Sequence, residues 1–133
     1  MDLKQFEGLA KSFDEGIEIE IMHPKTGVGT GLKVRVASYS SERVKRVQRR
    51  LTNVAIRDNK RNPKKVGTVE ELEERAVEIT AAAVVDWSGF MLNGAALPCT
   101  PENVLTVLSN PDLWFISEQI DKAADDQASF IKA

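Results

Sequence analysis

Two segments near the N-terminus, residues 17–22 and 32–36, alternate apolar and charged positions along the chain. A repeat of two places successive side chains on opposite faces of an extended chain, so both segments predict half-buried strands. The nine residues between them include three glycines and one proline, which favour a turn. We therefore predict a β-hairpin over residues 17–36, with the glutamates of the first strand facing the basic residues of the second.

Most of the remaining chain repeats apolar residues every three or four positions, which is the spacing of a helix with one buried face. The predicted helices cover residues 2–13, 41–58, 69–87, 101–108 and 112–130. Thr68 and Thr100 suit the N-cap position before two of them, and Ser40 or Ser41 suits it before a third. The pattern predicts an α+β fold, as a mainly α-helical single domain over all 133 residues with one N-terminal β-hairpin packed on the helices.

The apolar face of the third predicted helix runs along its whole length, through Val69, Leu72, Ala76, Ile79, Ala83 and Trp87. Its second half is almost wholly apolar or alanine, so we predict that this half is deeply buried. Beyond it, Asn93 and Gly94 favour a tight turn because both residues tolerate a positive φ. The sequence thus predicts a helix, a turn and another helix in this region.

Composition narrows the class of protein. Hydrophobic residues make up 42% of the chain and charged residues 29%, which excludes a wholly disordered or a collagen-like protein. No apolar run is long enough to cross a bilayer. Charged residues interrupt the apolar residues at the N-terminus, whereas a signal peptide has a continuous apolar segment, so no signal peptide is expected. The single cysteine, Cys99, has no partner for an internal disulfide. A protein of the cytosol is therefore expected.

Charge is distributed unevenly along the chain. Residues 43–65 contain ten basic residues and one acidic residue, so they carry +9 and the remainder −11 within a net charge of −2. Such asymmetry favours an anionic partner or self-association between opposite patches. The basic residues lie opposite the predicted buried stripe of the second helix, and no aromatic residue is interleaved with them for base stacking. A nucleic acid, a protein partner and a merely solvated face are the open interpretations.

Two sets of residues are candidates for protein contacts. Ile56 falls among the basic residues of the second helix when positions are spaced by about 100°, which favours a protein partner there. Trp114 and Phe115 fall off the apolar face of the last helix, so they either pack against the fourth helix or anchor a partner. The candidate interaction residues are Arg43, Arg46, Arg49, Arg50, Ile56, Arg57, Trp114 and Phe115.

Few residues could carry chemistry. The chain has one histidine, His23, and one cysteine, Cys99, whereas a structural zinc site needs four such ligands. Neither residue lies in a motif typical of a catalytic nucleophile. The glycines of residues 27–31 open a strand, whereas a phosphate-binding loop opens a helix. We predict no catalytic, cofactor or metal site, and we expect a non-enzymatic protein with His23 in a turn and a buried or half-buried thiol at Cys99.

Several short motifs follow one another in a defined order. They are a hairpin tip Pro24-Lys25-Thr26-Gly27, the basic helix, Trp87, Asn93-Gly94, Leu97-Pro98, Thr100-Pro101-Glu102-Asn103 and Asn110-Pro111. This order and spacing resemble the tail assembly chaperones of bacteriophages with long, non-contractile tails. The resemblance covers most of the chain and is most specific between residues 86 and 120.

The resemblance implies a late, non-enzymatic protein of the infected host cell's cytoplasm that is absent from the mature virion. It implies that the protein binds the tape measure protein, keeps that long helical chain soluble, and helps recruit tail tube subunits during tail morphogenesis. In this family, programmed ribosomal frameshifting commonly makes a longer product whose added domain engages the tail tube protein. This chain would be the short form, with no cofactor and no membrane partner, and its opposed charges would suit a homo-oligomer.

Two alternatives come from other classes of protein. A small nucleic-acid-binding regulator would use the basic residues 43–65, although the overall acidity of the chain argues against this partner. A virion head-tail connector would share the viral setting and remain in the particle. Both remain open as interpretations of the sequence, in addition to the chaperone.

Overall fold

The computed structural model describes residues 1–61 and 68–131 and has an α+β fold, as predicted. The α-helices are α1 (Leu9–Glu15), α2 (Glu42–Arg61), α3 (Val69–Ala82), α4 (Pro101–Ser109) and α5 (Trp114–Asp125). The strands are β1 (Ile17–Met22), β2 (Gly29–Val36), β3 (Val84–Ser88), β4 (Met91–Leu92) and β5 (Ala95–Ala96). Three 3-10 turns are Leu3–Phe6, Pro111–Leu113 and Gln127–Phe130. Residues 62–65 of the predicted basic segment lie outside the described residues.

Strands β1, β2 and β3 form an antiparallel sheet with β2 in the middle. The predicted hairpin is confirmed, because Glu18 lies opposite Arg35 and Glu20 lies opposite Lys33. Opposite charges therefore face each other across the strands, an arrangement that stabilises antiparallel pairs. The other face of the hairpin enters the core, where its fully buried residues are Ile21, Val34 and Val36.

The sheet has one strand more than the sequence predicts. A helix is predicted over residues 69–87, but α3 ends at Ala82 and β3 pairs with β2, with Trp87 opposite Val34. The two valines that open β3 are β-branched and fit an extended chain. The predicted end of this helix is wrong because pairing with the distant strand β2 satisfies the backbone there.

A second, two-stranded hairpin of β4 and β5 surrounds Asn93 and Gly94, whose φ angles are 52° and 81°. The tight turn is confirmed, but it joins two strands, so the predicted connection of helix, turn and helix is wrong. Before this hairpin, the Trp87 ring stacks on Phe90 with 4.3 Å between ring centroids. The Trp87 indole N–H also donates to the Leu97 carbonyl at 2.8 Å, which fixes the hairpin to the end of β3.

Helix α2 receives its cap from another element of the fold. The Asp14 carboxylate accepts hydrogen bonds from the backbone N–H groups of Glu42 and Arg43, each at 3.1 Å. Ser41 occupies the N-cap position, as predicted, and its carbonyl accepts a hydrogen bond from the Lys45 N–H at 3.1 Å, but its side chain does not provide the cap. The hydroxyl of Ser41 is instead buried and has no hydrogen-bond partner among the described residues. A carboxylate brought by the tertiary fold is a stronger acceptor for these groups than a hydroxyl.

The first and last predicted helices are shorter and less regular than expected. In place of the first predicted helix, the 3-10 turn Leu3–Phe6 precedes α1, and in place of the last, α5 lies between the 3-10 turns Pro111–Leu113 and Gln127–Phe130. Helix α1 meets the last 3-10 turn where the Phe13 and Phe130 rings make an edge-to-face contact with their centroids 6.3 Å apart. No helix within the described ranges is both long and apolar enough to span a membrane.

One cluster of buried residues joins the sheet to the helices α3, α4 and α5. Within α3 only Thr80 is buried, and Ala83 follows it into the core just after the helix ends. The sequence predicts a buried stripe along the whole helix, but Val69, Leu72 and Ala76 are exposed. That part of the prediction is wrong because α4 and α5 pack only against the second half of α3.

Candidate protein-binding site

A groove lies between the second half of α3 and the junction of α4 with α5, with a volume of about 410 Å³. Its lining combines apolar and acidic side chains. The lining residues are Ala76, Val77, Thr80, Leu108, Ser109, Asn110, Pro111, Trp114, Ser117, Glu118 and Asp121. We refer to this surface as the Trp114 groove.

The turn between α4 and α5 sets the position of the tryptophan. The Asn110 side-chain oxygen accepts a hydrogen bond from the Asp112 N–H at 2.9 Å. Pro111 opens the 3-10 turn that follows, where its missing N–H is not needed. Helix α5 then begins at Trp114, whose side chain is 57% exposed. The local sequence therefore fixes a large aromatic side chain at the mouth of the groove.

The structure separates the two aromatic candidates. Phe115 is half-buried and packs against the core cluster, which agrees with the packing interpretation. Trp114 makes an edge-to-face contact with Phe115 at 6.0 Å but leaves most of its ring in solvent. The interpretation as an anchor for a partner therefore applies to Trp114 alone.

A tyrosine joins the two walls of the groove. The Tyr39 hydroxyl lies 3.0 Å from the Thr80 hydroxyl of α3 and donates a hydrogen bond to the Asp121 carboxylate of α5. Burial, followed by the hydrogen bond to Asp121, raises the pKa of Tyr39 above its ordinary value. Through these two contacts the hydroxyl links α3 to α5 across the groove.

The rim of the groove is acidic. Glu118 and Asp121 line it, no basic residue is among its described lining residues, and Glu73 lies one helical turn before Val77 on the same side of α3. An apolar floor with an acidic rim matches an amphipathic helix that carries lysine or arginine beside its apolar stripe.

Arg43, the first of the predicted interaction residues on α2, is used inside the chain. Its guanidinium donates to the carbonyl oxygens of Ala82 at 2.8 Å and Val84 at 3.2 Å, and the residue is half-buried. These bonds satisfy the backbone where α3 gives way to β3. The side chain therefore stabilises the join between a helix and a strand.

Two further arginines of α2 form ion pairs at the surface. Arg49 pairs with Glu42 at 2.9 Å, and Arg50 pairs with Glu78 of α3 at 3.0 Å. The hydrogen bond and charge of Arg49 lower the pKa of the Glu42 carboxyl, and the carboxylate in turn raises the pKa of Arg49. Both pairs are well exposed, so they contribute little to stability.

The remaining candidates on α2 are exposed. Arg46 and Arg57 take part in no ion pair within the described part of the chain. Ile56 is 52% exposed and lines a second groove, of about 530 Å³, between α2 and α3. Ile56 and Trp114 thus belong to different grooves, and the structure does not bring the predicted contact residues into one site.

Sequence reasoning missed the exposed apolar residues at the start of α3. Val69 is 66% exposed and Leu72 is 58% exposed. The available signal was the density of glutamate, because four of the five residues 70–74 are acidic. Such a turn leaves only a narrow apolar stripe and is typical of a helix surrounded by solvent.

The residues considered for chemistry occupy ordinary positions. His23 lies in the hairpin turn, as predicted, and its Nδ1 accepts a hydrogen bond from the Lys25 N–H at 3.1 Å. Cys99 is partly buried, as predicted, and burial raises the pKa of its thiol, which opposes nucleophilic reactivity. In residues 1–61 and 68–131 no cluster of histidine, cysteine and carboxylate side chains is arranged to hold a metal.

No protein-family model matches this chain. No curated protein and no solved structure matches it significantly. A functional assignment therefore rests on the surfaces described above.

Proposed function

We propose that this protein is a non-enzymatic phage tail assembly chaperone and that its Trp114 groove holds an apolar helix of the tape measure protein. The observation that supports the proposal is the groove itself, which combines apolar walls and an acidic rim with a tryptophan 57% exposed. A soluble protein that keeps a tryptophan at the mouth of a groove has a hydrophobic surface suited to a partner.

Binding would follow the general physics of a helix in a groove. The indole offers a large apolar area at a low cost in side-chain entropy, so Trp114 would contribute most of the affinity. Glu118 and Asp121 would select client helices with basic residues beside the apolar stripe and would speed their association. The client's exposed apolar stripe would thereby be covered until assembly.

The wider role follows from the same proposal. The complex would keep the tape measure protein soluble in the host cytoplasm while tail tube subunits are recruited, chiefly through a longer frameshift product. The chaperone would leave before the virion is complete.

Co-expression with the cognate tape measure protein tests the proposal. Wild-type chain should raise the soluble yield of that protein and copurify with it. Trp114→Ala should weaken the complex at least about tenfold, which corresponds to the loss of a central aromatic contact. Affinity is measured by titration calorimetry with the purified client segment, and thermal unfolding verifies that the variant is folded.

Met91→Ala is the matched control, because Met91 is a large apolar residue with 63% exposure on the separate β4–β5 hairpin. It should change the affinity by less than about twofold, as expected for a residue outside the contact. Equal insolubility of the tape measure protein with and without this chain would overturn the proposal. Loss of binding in Met91→Ala with full binding in Trp114→Ala would overturn the assignment to the groove.

A nucleic-acid-binding regulator is the second candidate, and it is favoured by the exposure of Arg46 and Arg57, neither of which forms an ion pair with another described residue. Tight binding of a labelled DNA or RNA duplex at physiological salt, with a steep salt dependence that Arg46→Glu and Arg57→Glu abolish, would favour this candidate. The third candidate is a head-tail connector, and detection of the chain in purified virions would support it.

A further inference from the structure

The helices α2 and α3 extend away from the core as an antiparallel pair. Arg43 meets Ala82 at the core end, and Arg50 meets Glu78 further along, so the residue numbers rise on one helix as they fall on the other. We refer to the outer part of this pair, residues 54–61 and 69–76, as the arm.

The arm exposes several large apolar residues. Ile56 is 52% exposed on α2, whereas Val69 and Leu72 are 66% and 58% exposed on α3. Large apolar residues exposed in this way beside charged residues mark surfaces that are covered by another protein.

Charge is separated between the two sides of the arm. The α2 side carries Arg57 and Lys60, and the α3 side carries Glu73 and Glu74, all of them exposed. Within the described residues, none of these four side chains forms an ion pair. Nearer the core, the same two helices do form one, between Arg50 and Glu78 at 3.0 Å. Among the described residues, the arm therefore exposes Arg57 and Lys60 on one side and Glu73 and Glu74 on the other without an ion pair between them.

The two charged sides of one arm face different directions. Leu51 and Ala55 are the half-buried residues on the side of α2 that packs on α3, and Lys60 lies about 140° from Ala55 around the helix. The basic side of α2 thus turns away from the acidic side of its own α3. A second chain can place its acidic α3 side against this basic surface.

We propose that two copies of this protein associate through their arms, with the basic α2 side of each copy on the acidic α3 side of the other. The contact pairs Arg57 and Lys60 with Glu73 and Glu74, and it covers Ile56 on one side and Leu72 on the other. Every element needed is present on one chain, so the surface is complementary to a second copy of itself. A polyanion could cover only the basic side and would leave the acidic side of the arm unpaired, whereas a second copy covers both.

Complementary charge reversal tests the contact. The double variant Arg57→Glu with Lys60→Glu makes both sides of the arm acidic, and the double variant Glu73→Lys with Glu74→Lys makes both sides basic. Each alone should be monomeric in sedimentation velocity, whereas an equimolar mixture should associate, because each side then meets its opposite. Wild-type association should weaken at least about tenfold when the salt is raised from about 0.1 M to 0.5 M, since screening shortens the reach of these charges.

The matched control is Lys4→Glu with Lys25→Glu, which makes the same change of net charge at exposed sites outside the arm. This variant should associate as the wild type does. Circular dichroism establishes that every variant is folded. A monomeric wild type at about 100 μM, double variants that associate as well as wild type, or a mixture that stays monomeric would each overturn the inference. The experiment contains no client protein, so its outcome is independent of the chaperone proposal.

Discussion

The two halves of α3 share one apolar face and have opposite surroundings. In the second half, Thr80 is buried under α5, and Ala83 continues into the core. In the first half, Val69 and Leu72 continue the same helical face and are mostly in solvent. An apolar stripe marks a face that needs covering, but it does not identify the chain that covers it.

The two halves of α3 should therefore also differ in how they unfold. Residues that pack under α4 and α5 contribute to the cooperative unfolding of the whole protein, whereas an uncovered helix end opens locally at little cost. A single helix can therefore anchor the core at one end and present a surface for a partner at the other.

The largest expected effect is on the free energy of unfolding, when one leucine is replaced beside the second half of α3 and another in its first half. Leu108 on α4 is 6% exposed beside the second half of α3, and Leu72 is 58% exposed on the first half. We expect Leu108→Ala to lower the free energy of unfolding by about 2–5 kcal/mol, because it leaves a cavity in the core. Leu72→Ala should cost less than about 0.5 kcal/mol. Urea denaturation at low protein concentration measures both, and equal losses would contradict the comparison.

A smaller effect is expected at the caps of two helices. Thr68 accepts a hydrogen bond from the Glu71 N–H at 3.1 Å at the start of α3, and Thr100 accepts one from the Asn103 N–H at 3.2 Å at the start of α4. Both threonine caps are confirmed as the sequence predicts. Replacing either threonine by alanine removes a comparable hydrogen bond, and the loss of such a cap typically destabilises its helix by about 1 kcal/mol.

The two cap variants should differ in where the loss is observed. Thr100→Ala should lower the global free energy of unfolding, because α4 is part of the core. Thr68→Ala should mainly speed amide hydrogen exchange in the first turns of α3 and leave the global value nearly unchanged. A large global loss in Thr68→Ala would show that the first half of α3 is coupled to the core.

The smallest effect concerns Tyr39, which links the second half of α3 to α5 and has no counterpart in the first half. Because its pKa is raised in the folded protein, the unfolded chain loses this proton first as the pH passes about 10. The unfolded state then binds fewer protons than the folded state, so stability present below pH 10 declines above it. We expect the advantage of wild type over Tyr39→Phe in urea denaturation to shrink between pH 8 and pH 11. A constant difference across this range would contradict the raised pKa.

Much of the local structure could be predicted from the sequence. The two faces of the first hairpin follow from its strict alternation, and the threonine caps and the Asn93-Gly94 turn follow from the preferences of residues a few positions apart. The same reasoning identified Trp114 and Ile56 as apolar residues outside the buried faces, and both are exposed. These features depend on interactions within about four residues, which a sequence displays directly.

Only the tertiary structure decided the features that join distant residues. Strand β3 exists because β2 offers it a pairing edge, and Asp14 caps α2 across 28 residues. Leu72 is exposed because the contact of α4 and α5 with α3 extends only as far as Ala76. The Trp114 groove is of the same kind, since its walls come from three helices. The physical reason is that burial and hydrogen-bond pairing depend on which elements meet in space, whereas periodicity records only that a residue can be buried or paired.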